Sequence, residues 1–278
     1  MNLTVGGTAV EQPQQSGRCW WTPRLLDDGA ACRWQVGPMV LLVSRHEREY
    51  RLYSHSDALS DDETATVSEI ADPAALEGIA GFELVRHLTD PSATHIDVRP
   101  ALADRAVVSK PVARFMLHPR QQIKVFVGSP LWLQARLQGA SDLMLDLPII
   151  RPSDTWFGAN TREGELCYAS RTNARLTLDE VSVSAIRAVT PVLLRNQSSK
   201  PLVVDKICLP VSFLSLFSDS DGRLWTEPVT ISCEQQNEPS ALTIERQPVG
   251  AAAQLEPVSA PRQTVRSGLV HSLNVLFG

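Results

Sequence analysis

The sequence predicts an all-β protein: an antiparallel β-sandwich with Ig-like or jelly-roll-like layering, a smaller N-terminal β region and a C-terminal helix. Three observations carry this. From Val107 onward, short runs alternate apolar and polar residues with period two, the pattern of strands with one buried face. Proline, glycine and small polar clusters punctuate these runs at short intervals. No stretch alternates strand with the amphipathic crossover helices of a parallel α/β sheet.

The elements follow in order. Residues 1–18 are polar and Gln-rich and read as a flexible tail. Residues 19–100 form the N-terminal β region. Arg33 to Val43 and Tyr50 to Tyr53 read as a hairpin across the charged turn Arg45 to Glu49, with a polar, acidic loop over 54–66. Pro73 suits the first turn of a short helix at Ala74 to Ile79. Phe82 to Leu88 and Ile96 to Val98 read as a second hairpin across Asp90-Pro91-Ser92.

The sandwich spans 101–260. Its strands are Ile123 to Val127, Leu131 to Leu137, Leu143 to Leu147, Ala174 to Leu178, Pro191 to Asn196 and Pro201 to Ile207. Asp221-Gly222 between Phe213–Phe217 and Leu224–Ile231 is the strongest hairpin signal in the chain. Residues 261–278 carry Val265, Leu269, Leu273 and Leu276 at helical spacing and predict a terminal amphipathic helix.

Composition excludes several classes. The net charge of −5 carries no basic surface, so nucleic acid is not an expected partner. No apolar run reaches bilayer length, so membrane insertion is not expected either. The odd set Cys19, Cys32, Cys167, Cys208 and Cys233, with no Cys-x-x-Cys, fits a reducing, cytoplasmic compartment. The six histidines are scattered, and there is no phosphate loop, nucleophile elbow or His-Glu-x-x-His, so neither metal nor cofactor is expected. Asp219-Ser-Asp-Gly222 opens like a calcium loop, but Pro228 stands where the closing glutamate belongs. The acidic triplet Asp61-Asp62-Glu63 reads as a solvated loop.

The richest stretch is Asp154 to Thr172. Asp154, Glu163 and Glu165 can serve as acid or base, Arg171, Arg175 and Arg187 can hold an anion, and Cys167 can act as a nucleophile if a cation lowers its pKa. Trp156 and Tyr168 complete the candidate set. The structural alternative is a Gly-hinged loop, anchored by Trp156-Phe157, with Leu166 and Tyr168 on one face of the returning strand.

The series Asp-Thr-Trp-Phe-Gly (154–158), Gly-Glu-Leu-Cys-Tyr (164–168), Arg-Ala-Val-Thr-Pro-Val (187–192), Leu-Pro-Val (209–211) and Leu-Trp-Thr-Glu (224–227) resembles the family catalogued as domain of unknown function 432. Asp-Arg-Ala-Val-Val (104–108) and Ser-Pro-Leu-Trp (129–132) extend the likeness. The resemblance supplies no activity, cofactor or catalytic residue. It implies a cytosolic accessory protein associated with a membrane channel.

The expected function is a binding or protein-interaction module, with an unknown protein partner or self-association through a sheet edge or the terminal helix. The alternatives are an enzyme acting on a small polar or anionic substrate at the 154–175 loop, and a carbohydrate-binding sandwich with Trp132, Trp156 or Trp225 as stacking platform.

Overall fold

The structure is a computed structural model that describes residues 19–158, 162, 164–234, 241–245 and 255–264. The described chain is all-β; its helical content is three single 3₁₀ turns, Pro73–Leu76, Leu178–Glu180 and Val211–Phe213.

The N-terminal strands are β1 (Arg24–Leu25), β2 (Ala31–Val36), β3 (Met39–His46), β4 (Glu49–Ser56), β5 (Ala65–Glu69) and β6 (Glu83–Leu88). Five of them form an antiparallel sheet in the order β5-β2-β3-β4-β6. The β2–β3 hairpin turns at Gly37, with φ of +54°. A Cβ there would lie 2.7 Å from Ile186 Cγ2 and 2.9 Å from the Asp62 carbonyl, so only glycine fits. Gly37 also donates its amide to the Thr64 carbonyl at 2.8 Å, tying the acidic loop to the sheet.

The remaining strands are β7 (His95–Leu102), β8 (Val107–Ser109), β9 (Phe115–Leu117), β10 (Gln122–Leu137), β11 (Leu145–Pro148), β12 (Ser153–Phe157), β13 (Glu165–Ala169), β14 (Arg187–Asn196), β15 (Leu202–Val204), β16 (Ile207–Leu209), β17 (Leu216–Ser218), β18 (Leu224–Thr226), β19 (Val229–Cys233), β20 (Ala241–Ile244) and β21 (Glu256–Ser259). The largest sheet runs β1-β7-β10-β14-β18-β17-β21, with β11 on β10 and β19-β20 branching from β14. A smaller sheet is ordered β12-β13-β8-β16, and β9 pairs β15.

β10 organises the large sheet. Its first half pairs β14 from Gln122 to Pro130; its second half pairs β7 from Leu131 to Leu137. The sequence predicts two strands here because Pro130 has no ladder donor. The structure has one strand, with Pro130 at the point where the partner changes and no donor is missed.

Other expectations are corrected. β6 and β7 do not form a hairpin: β6 adds to β4, and β7 pairs β1 and β10. The alternation of β6 therefore marks an edge strand, with Leu84 and Leu88 exposed. Ala174 to Leu178 is not a strand; it makes single bridges at Ala174 and Arg175, and Leu176 is exposed. The sheets are not purely antiparallel, since β14 pairs both β18 and β19 in parallel and β13 pairs β8 in parallel. Period-two patterning reports burial, not strand direction. The terminal helix is not borne out: the last described element is β21, residues 260–264 are irregular, and Val265 to Leu276 lie outside the described residues, as does the expected tail 1–18.

The Pro73 turn is present as a 3₁₀ turn, with the Asp72 carboxylate accepting from the Ala74 amide. The Asp221-Gly222 turn joins β17 to β18 as expected, with Gly222 at φ +75°. One apolar cluster runs from Trp20 to Val258 and takes in Trp34, Tyr50 and Leu52 of the five-stranded sheet along with Leu131, Leu194 and Ile207. The position expected to separate two regions, 100/101, lies inside β7.

Candidate functional site

β12 and β13 form the hairpin that carries most of the sequence candidates, in the register Asp154↔Tyr168, Thr155↔Cys167, Trp156↔Leu166 and Phe157↔Glu165. Phe157 is buried and anchors the hairpin. Trp156 does not: its side chain is on the exposed face, at 43% exposure. Gly164 closes the loop because a Cβ there would meet the Phe157 carbonyl at 2.5 Å and the Trp156 indole nitrogen at 2.8 Å. Glu163 lies outside the described residues.

The other candidates separate into three neighbourhoods. In the first, Tyr168 is buried against Trp132, with ring centroids 5.4 Å apart. Its hydroxyl donates to Asp104 Oδ1 at 3.1 Å, and the Arg105 guanidinium lies 5.2 Å from its ring centroid. Burial, then the bond to Asp104, pushes the Tyr168 phenol above its ordinary value. Asp154 is exposed and faces Arg105 at 3.5 Å. This is a surface ion pair over an aromatic plug.

In the second, Cys167 and Cys208 are both fully buried, with sulfurs 3.9 Å apart. Cys208 Sγ donates to Glu165 Oε1 at 3.8 Å. The contact with Cys167, burial and the nearby Glu165 carboxylate hold the Cys208 thiol well above its ordinary pKa. That is the opposite of an activated nucleophile.

The third is a cleft of about 90 Å³ between β10, the start of β14 and residues 172–184, lined by Arg175, Arg187, Arg223, Glu180, Asn173 and Ser182 among others. Burial lowers the Arg187 pKa from its ordinary value, and the Glu63 carboxylate forms an ion pair with its guanidinium. Glu63 is held there because Ala185 donates its amide to the Glu63 carbonyl at 2.9 Å. The acidic triplet is thus partly structural rather than simply solvated. Among the described residues no carboxylate pairs with Arg175. The Arg223 guanidinium stacks 5.6 Å from the Trp225 centroid. Gly128 forms the floor: a Cβ would sit 2.8 Å from Thr172 Oγ1. Ser170 Oγ donates to the Gly128 carbonyl at 3.0 Å and fixes the rim.

The structure therefore joins Arg175 with Arg187, joins Glu165 with Cys167, and leaves Asp154 and Arg171 outside the cleft. Arg223, Asn173, Glu63, Asp104 and Cys208 were missed. Their positions depend on strand pairing across 40 or more residues in every case but Asn173 and Arg223, and no local spacing marks any of them. Trp132 and Trp225 are buried, so Trp156 is the exposed ring of the three considered for stacking.

A family model described as "Protein of unknown function (DUF432)" matches residues 20–276, and the chain belongs to that family. No curated protein and no solved structure matches it. Among the described residues no helix is long and apolar enough to cross a membrane.

Proposed function

We propose that this protein is a non-catalytic binding module whose ligand presents a compact anion, of the phosphate or sulfate type, to the Arg175–Arg187–Arg223 cleft. The observation that carries this is three guanidinium groups lining one cleft together with hydroxyl and amide side chains, against a single carboxylate in the lining, Glu180. Arginine suits this role because its planar fork donates to tetrahedral oxyanions in pairs. At about 90 Å³ the cleft is far below the roughly 300 Å³ of a site enclosing a whole drug-sized molecule. It fits the charged head of a ligand whose remainder lies outside. Binding is favoured over the enzymatic alternative because Asp154 and Glu165, the expected acid and base, do not line the cleft, whose one carboxylate, Glu180, stands without a second to share acid and base roles. The sheets sharing one core are read as sandwich-like layers, and five free cysteines support a reducing, cytoplasmic setting.

Titration calorimetry with inorganic phosphate and with sulfate tests the reading. Saturable heat is expected for the wild type, with at least about tenfold weaker binding in Arg175→Ala and Arg223→Ala, whose side chains are not needed for the core. A flat wild-type titration with both anions, or unaltered binding in both variants, sinks it.

A second reading rests on β6. This edge strand exposes Leu84, Val85 and Leu88 together, which suits antiparallel pairing with β6 of a second copy. Sedimentation equilibrium of wild type against Leu84→Lys/Leu88→Lys distinguishes a dimer lost on substitution from a monomer in both.

A further inference from the structure

The second neighbourhood has a geometry that neither packing nor the arginine cleft explains. Glu165 and Cys167 come from β13, and Cys208 comes from β16, on the far side of β8. Cys208 is in register with Val108, and Val108 with Ala169. Ala169, Cys167 and Glu165 alternate along β13, so all three point to the same face as Cys208. Among the described residues these are the one group of three potential metal ligands, with all donor atoms within 4.8 Å of one another.

The spacing matches a tetrahedral ion. Zinc at about 2.3 Å from sulfur and about 2.0 Å from oxygen places two thiolates about 3.8 Å apart, and a thiolate and a carboxylate oxygen about 3.5 Å apart. The observed separations are 3.9 Å for Cys167 Sγ to Cys208 Sγ and 3.8 Å for Cys208 Sγ to Glu165 Oε1, and Cys167 Sγ lies within 4.8 Å of the Glu165 carboxylate. We propose that Glu165, Cys167 and Cys208 form a binding site for a thiophilic divalent cation, Zn²⁺ by ligand chemistry, with the fourth position left to water.

Electrostatics points the same way. A carboxylate beside two buried thiols opposes their ionisation, and a bare thiol pair gains little from it. A divalent cation reverses that sign, since two thiolates and one carboxylate then surround a +2 charge. Binding releases one proton from each thiol, which forms its sulfur–metal bond with the electron pair left behind. Because both thiols must give up a proton to bind the ion, affinity rises with pH.

Cobalt(II) is the probe. Full-length protein stripped with chelator and kept reduced with a phosphine is titrated with Co²⁺. The expected result is thiolate-to-cobalt charge-transfer absorption with intense tetrahedral ligand-field bands, saturating at one equivalent and bleached by Zn²⁺. Proton release should approach two per ion. Cys208→Ser and Cys167→Ser lose the charge-transfer band, Glu165→Gln weakens binding at least about tenfold, and Cys19→Ser, altering the exposed cysteine, leaves the signal unchanged. A wild-type titration without thiolate absorption overturns the proposal whatever the variants do. A signal retained in both buried-cysteine variants, or lost in Cys19→Ser, also overturns it. If the buried-cysteine variants do not fold, wild-type stoichiometry, proton release and the Glu165→Gln affinity decide.

Discussion

Asn196 shows how much one buried side chain can organise. It is 1% exposed, at the end of β14. Its Nδ2 donates to the Leu117 and Lys200 carbonyls, each at 2.8 Å, and its Oδ1 accepts from the Ser198 amide at 3.0 Å and the Ser198 hydroxyl at 2.7 Å. All of its hydrogen-bonding capacity is used to hold the 197–200 turn beneath β9. Asn196-Gln-Ser198 is also a glycosylation sequon by spelling, and the burial of the amide removes that role in the folded chain. Asn196→Ala should cost about 2 kcal/mol, because it takes the Asn196 partner from the Leu117 carbonyl and the Ser198 amide, while the Lys200 carbonyl keeps Ser198 Oγ at 2.9 Å. Urea denaturation measures this; a cost near zero would show that water replaces the network. Asn196→Asp should also destabilise, since a carboxylate cannot donate to either carbonyl.

At the scale of elements, β6 is held to β4 by charge as well as by its ladder. Glu49 accepts from Arg86 Nε at 2.5 Å and Nη2 at 2.8 Å, and from Arg51 Nε at 2.9 Å. The Arg86 hydrogen bonds dominate, overcoming partial burial, and with Arg51 they hold the Glu49 pKa down at about 2. Its folded value lies below its unfolded one, so the stabilisation is complete above the unfolded pKa and is lost as pH falls toward the folded pKa. Solvent at the exposed Arg86 side screens the pair and keeps its contribution small. Glu49→Gln should therefore be less stable than wild type at about pH 6, with the gap narrowing as pH falls below the unfolded value and closing only near pH 2. Denaturant midpoints across that range test it, and a gap that does not change with pH would contradict the assignment. β6 also illustrates what the sequence can say about elements. Its alternation identified a strand, and Asp221-Gly222 identified a turn between true neighbours. The partner of β6 was not legible, because a strand's side-chain period carries no information about which edge it joins. Pro130 misled for a related reason: a missing donor matters only where a neighbour needs it.

For the whole molecule, a continuous core joins both parts that the composition divided at residue 100. Thermal unfolding should then be a single cooperative transition, with near-ultraviolet and far-ultraviolet circular dichroism coincident. Two separated transitions would mean that the five-stranded sheet is an independent unit. The candidate residues follow the same lesson. Arg175 and Arg187 were named because charged residues cluster in that stretch, and they do share a cleft. Arg223, Glu63 and Cys208 were not legible, because each arrives through pairings between segments far apart in the chain. A charge-rich run reports where chemistry is dense, but its geometry comes from the strands that flank it. In this molecule that run is divided among three neighbourhoods rather than forming one site.

The partner change along β10 has a consequence for biosynthesis. As the chain leaves the ribosome, the second half of β10 finds β7 already made, whereas the first half must wait for β14, which begins some fifty residues later at Arg187. During that interval a run containing Ile123, Val125 and Val127 is without its ladder. Such an edge invites pairing with neighbouring nascent chains. Translation speed between codons 138 and 196, and chaperone occupancy over the same window, should therefore govern the yield of soluble protein more than changes of comparable size elsewhere in the chain.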